Sequence, residues 1–431
     1  MKQKTITMKC INCHSQKLRK IFSLGEQPIS SIFYKIKKLK LKKYPLILYE
    51  CGKCKLVQFS QKTPVNEMYG TNYAYKTALS SDMINHLYEK YKKLNKRLKK
   101  KKCYVADIGS NDGTFLNFFS KRKNTELFGI DPSVKVFKNN YKKNINIIDN
   151  FFSKKNLISY LNKKKKKKKK FDLITSFAMF YDLEKPNQFC SDIGEILDKN
   201  GIWVSEFSYF PLLLKNLTYD QICHEHVAYY TLNTFKNSID KNNLKIIDCS
   251  INEINGGSIE VICAKKNSTF QPKFKKILKL LKEEKEINLK AYKRFNNRVK
   301  STKSSISDFL KKNKNKVIGY GASTKGNIVL NYCNINYKKL PLICDANKYK
   351  INRFTPGSNI KIISKNRMRQ INPEYLFVLI WPFRSEVIKE EIKYIKNGGK
   401  LVFNLPRFHI VDKLNYKKYL RKKIKSDSYD L

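Results

Sequence analysis

A chain of 431 residues is longer than one ordinary hydrophobic core serves, so two to four domains of common size are expected. Its 89 Lys+Arg against 35 Asp+Glu give a formal charge of +54, but the excess is mostly lysine spread through every segment, with little arginine, which fits compositional bias and attraction for an anionic substrate better than a nucleic-acid or membrane stripe. No apolar run reaches the roughly 18–20 residues that span a bilayer, no signal-peptide core precedes Cys10, and eleven cysteines in scattered contexts fit a reducing compartment, so a cytoplasmic protein without a membrane partner is expected.

The first segment carries Cys10-Ile-Asn-Cys13 and Cys51-Gly-Lys-Cys54. Two such pairs bring four thiolates to one point, as tetrahedral zinc requires, whereas a redox dithiol needs only one pair. Four sulfurs close the shell, so His14 is left out, and the metal is expected to hold a small domain together without doing chemistry.

A helical stretch over about 80–100 leads to Cys103-Tyr-Val-Ala-Asp-Ile, a buried strand that runs into the turn Asp107-Ile-Gly-Ser-Asn-Asp-Gly113 and a helix through Phe115, Leu116 and Phe119. A second strand, Leu127-Phe-Gly-Ile, ends at Asp131. An acid about twenty residues past a strand and glycine turn is where a doubly wound sheet places its ribose-hydroxyl acceptor. Eight lysines, Lys163–Lys170, read as a solvated loop between a helix ending near Leu161 and a strand opening at Phe171. Strands over Phe171–Phe177, Gly201–Glu206, Leu244–Cys249 and Ser258–Cys263, with a helix over Phe189–Leu197, continue the sheet.

From Gln271 to Lys311 the pattern turns helical, with Phe274, Ile277, Leu278, Leu281, Ile306, Phe309 and Leu310 as apolar stripes of a connector. A second strand-turn-helix opens at Lys316-Val-Ile-Gly-Tyr-Gly-Ala-Ser-Thr-Lys-Gly326, and Asp345 again follows about twenty residues on. Its lysine precedes the glycine, so it is not a phosphate-binding Walker loop, although Lys325 at a helix N-terminus suits a diphosphate. Strands over Tyr375–Trp381 and Lys400–Asn404 complete a second sheet, and the basic tail past Lys413 is a terminal or frayed helix.

The densest acid–base chemistry lies in Tyr219-Asp-Gln-Ile-Cys223-His224-Glu225-His226, which holds two of only five histidines in the chain. Such a cluster suits removal of a proton from carbon, which needs a base poised near neutrality and donors for the enolate oxygen.

In order, CxxC…CGKCxLVQ, DIGSNDGTFL, GIDPS, YDQICHEHxxYY, NGGS, GYGASTKGN and PGSNIKI resemble the S-adenosylmethionine-dependent sugar C-methyltransferases across nearly the whole chain. The resemblance implies an α/β protein in three parts. These are a small N-terminal zinc domain (1–70, ligands Cys10, Cys13, Cys51 and Cys54), a class I Rossmann-like methyltransferase domain (71–270), and a helical connector with a second Rossmann-like domain (271–431). It further implies S-adenosylmethionine at Asp107, Gly109, Asn111, Asp112 and Gly113, with Asp131 on the ribose. His226 would be the base, His224 and Glu225 would orient it and stabilise the enolate, and Cys223 stands where some members have tyrosine. Tyr75, with Tyr73, matches an aromatic segment that closes over the site. Tyr219, Glu206 and Lys325 are expected to contact the acceptor, a nucleotide-linked 4-keto-deoxysugar methylated beside its ketone, in a monomer or weak oligomer. Methylation of another small molecule, or a zinc-containing RNA-binding protein or RNA methyltransferase, are the alternative readings.

Overall fold

The computed structural model describes residues 8–60, 63–68, 76–165 and 170–421. Tyr73, Tyr75 and the middle of the lysine run lie outside the described residues.

The first sheet is antiparallel, formed by β1 (Leu18–Pro28), β2 (Lys43–Cys51), β3 (Val57–Phe59) and a strand from far along the chain, β9 (Ala228–Tyr229). β9 pairs with β3 in the register Val57↔Tyr229 and Gln58↔Ala228. It directly follows the His-Glu-His run, so the direction in which that run leaves the site is set by the zinc-side sheet.

The second sheet has the order β10-β11-β8-β7-β4-β5-β6. Its strands are β4 (Cys103–Ile108), β5 (Thr125–Ile130), β6 (Ile145–Ile148), β7 (Phe171–Phe177), β8 (Leu197–Ser208), β10 (Leu244–Asn252) and β11 (Ser258–Lys265). The five strands from β8 to β6 are parallel, and β11 runs antiparallel to both neighbours. Helices cover both faces of a parallel sheet, which is why Val105, Ala106, Leu173 and Ile174 are all buried and the strand sequences read as continuous apolar runs. Strand order reverses at β4, flanked by β5 on one side and β7 on the other. Beyond the carboxyl ends of those strands lies the crevice where open α/β sheets bind ligands.

The third sheet, β14-β13-β12-β15-β16-β17, repeats the device. It comprises β12 (Val317–Tyr320), β13 (Leu342–Asp345), β14 (Lys361–Ser364), β15 (Tyr375–Val378), β16 (Lys400–Phe403) and β17 (His409–Val411), with only β17 antiparallel. The expected strand Tyr375–Trp381 stops at Val378, because Trp381 opens a short 3₁₀ turn whose next residue is proline, which cannot donate to a ladder.

The expected connector is broken. Helix Phe274–Glu283 ends in a short turn, Glu284–Glu286, and a new helix, Leu289–Lys312, begins where the Asn288 side chain accepts from the N–H groups of Lys290 and Ala291. In the first piece Ile277 and Leu280 are buried while Phe274 and Leu278 point to solvent, so its inward face is rotated from the expected stripe. The second piece buries Tyr292, Phe295, Val299 and Ile306 in one core with Phe22, Leu46 and Leu48 of the first sheet and Ile328 and Val329 of the third. The N-terminal and C-terminal sheets thus share a core. Among the described residues no helix is long and apolar enough to cross a membrane.

Candidate active site

The four cysteines of the first segment place their sulfurs within 4.8 Å of one another, with Cys10–Cys54 and Cys13–Cys51 each at 3.5 Å. Sulfurs held tetrahedrally at about 2.3 Å from zinc stand just under 4 Å apart, so the set fits the metal. Each pair is shaped by the same turn. The N–H of His14 donates to the Cys10 carbonyl and that of Lys55 to the Cys51 carbonyl, both at 2.9 Å, and both residues sit at positive φ, 60° and 63°. His14 is not part of the cluster, as expected. The cysteine site is the structural zinc centre of the chain.

At the switch point of the second sheet a cavity of about 670 Å³ opens, within the range of about 300–1,000 Å³ usual for small-ligand sites. Asp107, Gly109, Asn111, Asp112 and Asp131 line it, together with the apolar side chains of Met83, Leu87, Phe152 and Phe177. The turn after β4 needs left-handed backbone at Gly109 (φ 76°) and Gly113 (φ 75°). A Cβ on Gly113 would lie 2.7 Å from the Tyr141 ring, so this glycine serves the packing behind the turn and does not line the cavity. Tyr141 in turn hydrogen-bonds Ser110 Oγ and the Asn111 carbonyl, both at 2.8 Å.

The acids of this turn are individually tied. Asp112 caps the following helix, accepting from Thr114 Oγ1 at 2.6 Å, and receives the Ala78 N–H at 2.9 Å. Asp131 accepts from the Asn111 N–H at 2.9 Å through Oδ2 and from the Ser133 N–H at 2.7 Å and hydroxyl at 2.5 Å through Oδ1, which leaves Oδ2 a lone pair for a further donor. Asp107 is buried, and burial pushes its carboxyl up to about 7 even though the Thr175 hydroxyl, 2.6 Å away, opposes the shift. An apolar slot with fixed acceptors for hydroxyl groups at one end fits the adenosyl and ribose parts of S-adenosylmethionine.

Met179, Asp182, Glu225 and Val227 also line the cavity, with Met179 packed against Gly109. Asp182 follows β7 in a loop entered through Ala178 at φ 53°, a strained backbone for a residue with a Cβ. Burial, with Glu225 nearby, pushes its carboxyl well above the usual range. Glu225 is likewise raised by burial. The Cys223 thiol points at Glu225 Oε2, 3.6 Å away, and burial raises it as well.

His226 packs against Tyr181, ring centroids 4.1 Å apart and planes tilted by 44°. The Gln221 carbonyl holds one ring nitrogen, and Nδ1 is buried without a partner among the described residues. Burial, reinforced by the Lys325 charge, pushes its pKa down to about 3. Sequence reasoning expected a base poised near neutrality. Burial instead holds the imidazole neutral.

Lys325 reaches this cluster from the third sheet's first turn, its ammonium 3.4 Å from Asn255 Oδ1 and close enough to interact with Asp220, Cys223 and Glu225. Asp220 accepts from Trp381 Nε1 at 2.8 Å, and burial pushes it up to about 6 against the pull of Lys325.

Other expected site residues stand elsewhere. The Nε2 of His224 meets the Gln27 carbonyl at 3.1 Å, and burial pushes its pKa down to about 4, so its ring is turned to the N-terminal unit. Tyr219 is buried against the C-terminal unit, its hydroxyl 3.5 Å from Thr302 Oγ1 and Asn404 Nδ2. Glu206 is locked with helix Ser81–Arg97: His86 Nε2 lies 2.8 Å and Lys90 Nζ 2.7 Å from its two oxygens, and Lys90 also pairs with Glu260. Burial would raise Glu206, but the Lys90 charge and the hydrogen bond to His86 outweigh it and hold the carboxyl at about 2. Neither Glu206 nor Tyr219 lines the cavity.

Replacing Lys90 with methionine would leave two carboxylates facing each other in a dry site, and a loss of about 3–5 kcal/mol is expected in chemical denaturation. An unchanged midpoint would show that the pair is solvated.

Sequence reasoning missed Asp182, Asp220 and Trp381. Asp182 lies in a loop whose sequence carries no motif, and Asp220 and Trp381 meet only through the packing of segments 161 residues apart.

Three family models match in order: a zinc binding domain over 10–69, a methyltransferase domain over 80–248 and a C-methyltransferase C-terminal domain over 253–406. The curated C-methyltransferase NovU of Streptomyces niveus is 22% identical over 375 residues, covering 85% of this chain and 88% of its own. Among solved structures, the plantazolicin methyltransferase BpumL is 15% identical with a TM-score of 0.34, covering 44% of this chain and 87% of its own. Magnesium protoporphyrin IX methyltransferase of Synechocystis is 10% identical with a TM-score of 0.31, covering 42% and 79%. With the three matched segments spanning most of its length and the zinc and cofactor sites in place, the chain belongs to the S-adenosylmethionine-dependent C-methyltransferases built from a zinc-binding, a methyltransferase and a C-methyltransferase C-terminal domain.

Proposed function

We propose that the chain methylates the carbon next to the ketone of a nucleotide-linked 4-keto-deoxysugar. The observation that carries this reading is that one cavity is lined both by the acids Asp107 and Asp131 of the glycine-turn strands and by the raised carboxyls of Asp182 and Glu225. A heteroatom acceptor needs little beyond positioning, whereas a carbon acid must first lose a proton.

When bound, S-adenosylmethionine supplies an electrophilic methyl group on a sulfonium. The protein's task is the carbanion. His226, kept neutral by burial beside the Gln221 carbonyl, takes the proton on Nδ1, which has no partner among the described residues. Arrival of an anionic acceptor raises the imidazole pKa by offsetting Lys325, which brings base strength toward the working range. Glu225 and Lys325 set the charge around the enolate oxygen, and Lys325 also suits the diphosphate of the acceptor.

A second assignment of the base has an observation of its own, since Glu225 lines the cavity and His226 does not. A carboxylate raised by burial is a competent base near neutrality.

The test is incubation with S-adenosylmethionine and dTDP-, GDP- and CDP-linked 4-keto-6-deoxysugars in heavy water, following product mass and deuterium beside the ketone. Methylation preceded by exchange is expected. Cofactor binding without exchange or product across the panel would defeat the acceptor assignment, and methylation of RNA in its place would establish the alternative class.

A further inference from the structure

Buried polar atoms without partners are rare in folded proteins, because each forfeits its hydrogen bonds to water. Several such atoms among the described residues come from segments that meet at one locus. The end of β1 and the residues after it contribute Gln27 Oε1 and Ser30 Oγ, both without partners among the described residues, and Ser31 Oγ, whose neighbouring polar group is the Glu225 carboxyl; each residue is at most 6% exposed. Helix Thr324–Tyr332 of the third sheet contributes Asn327 Oδ1, and the methyltransferase unit contributes Asp182 Oδ1, Asp220 Oδ1 and His226 Nδ1.

The segments that carry these atoms touch from one unit to the next. The Gln27 carbonyl holds His224 at 3.1 Å, and the Ser30 carbonyl receives Asn327 Nδ2 at 2.7 Å. Ser31 lies beside the Glu225 carboxyl, where its hydroxyl opposes the upward push of burial. Glu225 in turn interacts with Asp182 and Lys325. The Gln27 and Ser30 carbonyls are therefore pinned while Gln27 Oε1 and Ser30 Oγ are left without partners among the described residues, and Ser31 Oγ, donating toward Glu225, keeps its lone pairs free to accept.

We propose that the Gln27–Ser31 segment of the zinc-binding unit forms a wall of the acceptor site and that Ser31 hydrogen-bonds a hydroxyl group of the acceptor. The proposal rests on the keto-sugar reading above and extends it to a class of contact: a rigid, hydroxylated ketone whose O–H groups meet fixed oxygen acceptors. A Gln carbonyl oxygen and an Asn carbonyl oxygen accept only, and a serine hydroxyl either donates or accepts, so the set recognises alcohols. A site built to pair with a hydroxyl discriminates strongly against an analogue that lacks it, because its own buried groups are then stranded. The zinc centre acquires a role in recognition through this segment, since it anchors the strands on either side.

Ser31 is a specificity residue on this account and takes no part in proton removal. In the full-length, zinc-loaded protein Ser31→Ala should raise the acceptor KM about tenfold or more, the worth of one buried hydrogen bond, with zinc content and S-adenosylmethionine Kd unchanged. Ser31→Thr, which keeps the hydroxyl, should restore KM to within about threefold of the unaltered protein, a difference below 1 kcal/mol. Turnover of a panel sugar with an acceptor KM unmoved by Ser31→Ala would overturn the wall and leave the acceptor reading standing. Failure of the unaltered protein to turn over any panel sugar would overturn the reading and the wall with it.

Discussion

His226→Ala is expected to lower methyl transfer by roughly 100- to 10,000-fold, equivalent to about 3–5 kcal/mol of barrier, while S-adenosylmethionine still binds with unchanged affinity. The slot proposed for the cofactor is lined by the turn after β4 and by Asp131 and not by His226, so binding and chemistry are expected to separate. Loss of deuterium exchange beside the ketone in the same variant would identify the missing step as proton removal. If His226→Ala keeps exchange and Glu225→Gln abolishes it, the carboxylate is the base and the histidine a positioning residue.

The same two histidines set a pH signature of stability. Burial holds His224 at about 4 and His226 at about 3, below the ordinary value of about 6.5. Above pH 6.5 both are neutral whether the chain is folded or unfolded, and they contribute no pH dependence. As pH falls from about 6.5 toward 4 and 3, the unfolded chain takes up protons that the folded one refuses, so stability declines across that window. His226→Gln should flatten this decline in denaturation midpoints measured from pH 7 to pH 4, and a slope identical to that of the unaltered chain would remove His226 from the account.

Stripping the metal is expected to have the larger structural effect. Structural zinc bound by four thiolates contributes about 10–16 kcal/mol of apparent binding free energy, which exceeds the stability of most domains. Removal by a strong chelator, or Cys51→Ser, should therefore release β1–β3, and the damage should spread. β9 depends on β3 for its pairing, and the His224 ring depends on the Gln27 carbonyl. Hydrogen exchange should show lost protection in β1, β2, β3 and β9, with activity lost in parallel, while β4–β8 stay protected. Full activity with metal content verified at zero would contradict this coupling.

Much of this architecture was legible because its signals are local. Strands β4, β5 and β7 are continuous apolar runs, and the left-handed turn after β4 demands glycine at positions 109 and 113. The four cysteines declare their convergence through spacing alone. What stayed hidden depends on partners distant in sequence. Nothing around Glu206 announces that Lys90 and His86 will neutralise it from a helix more than a hundred residues earlier. The Ser30–Ser31 pair reads as an ordinary loop until Asn327 and Glu225 are placed beside it. The stripe over Phe274–Leu281 misled because Phe274 and Leu278 share one helical face with lysines around them, and only docking decides which face turns inward. His226 shows the limit for chemistry: its residue type was plain, but its low proton affinity comes from burial and from a lysine about a hundred positions away.

The pairing of β9 with β3 also orders events at the ribosome. β1, β2 and β3 emerge early, but the outer edge of β3 stays open until Ala228 and Tyr229 follow, after most of the methyltransferase sheet has been made. An open edge invites pairing with other nascent chains. Zinc captured by the first four cysteines would let the short sheet hold its shape during that interval, so metal-starved cells should yield aggregates seeded from the N-terminal segment even though every catalytic residue is intact.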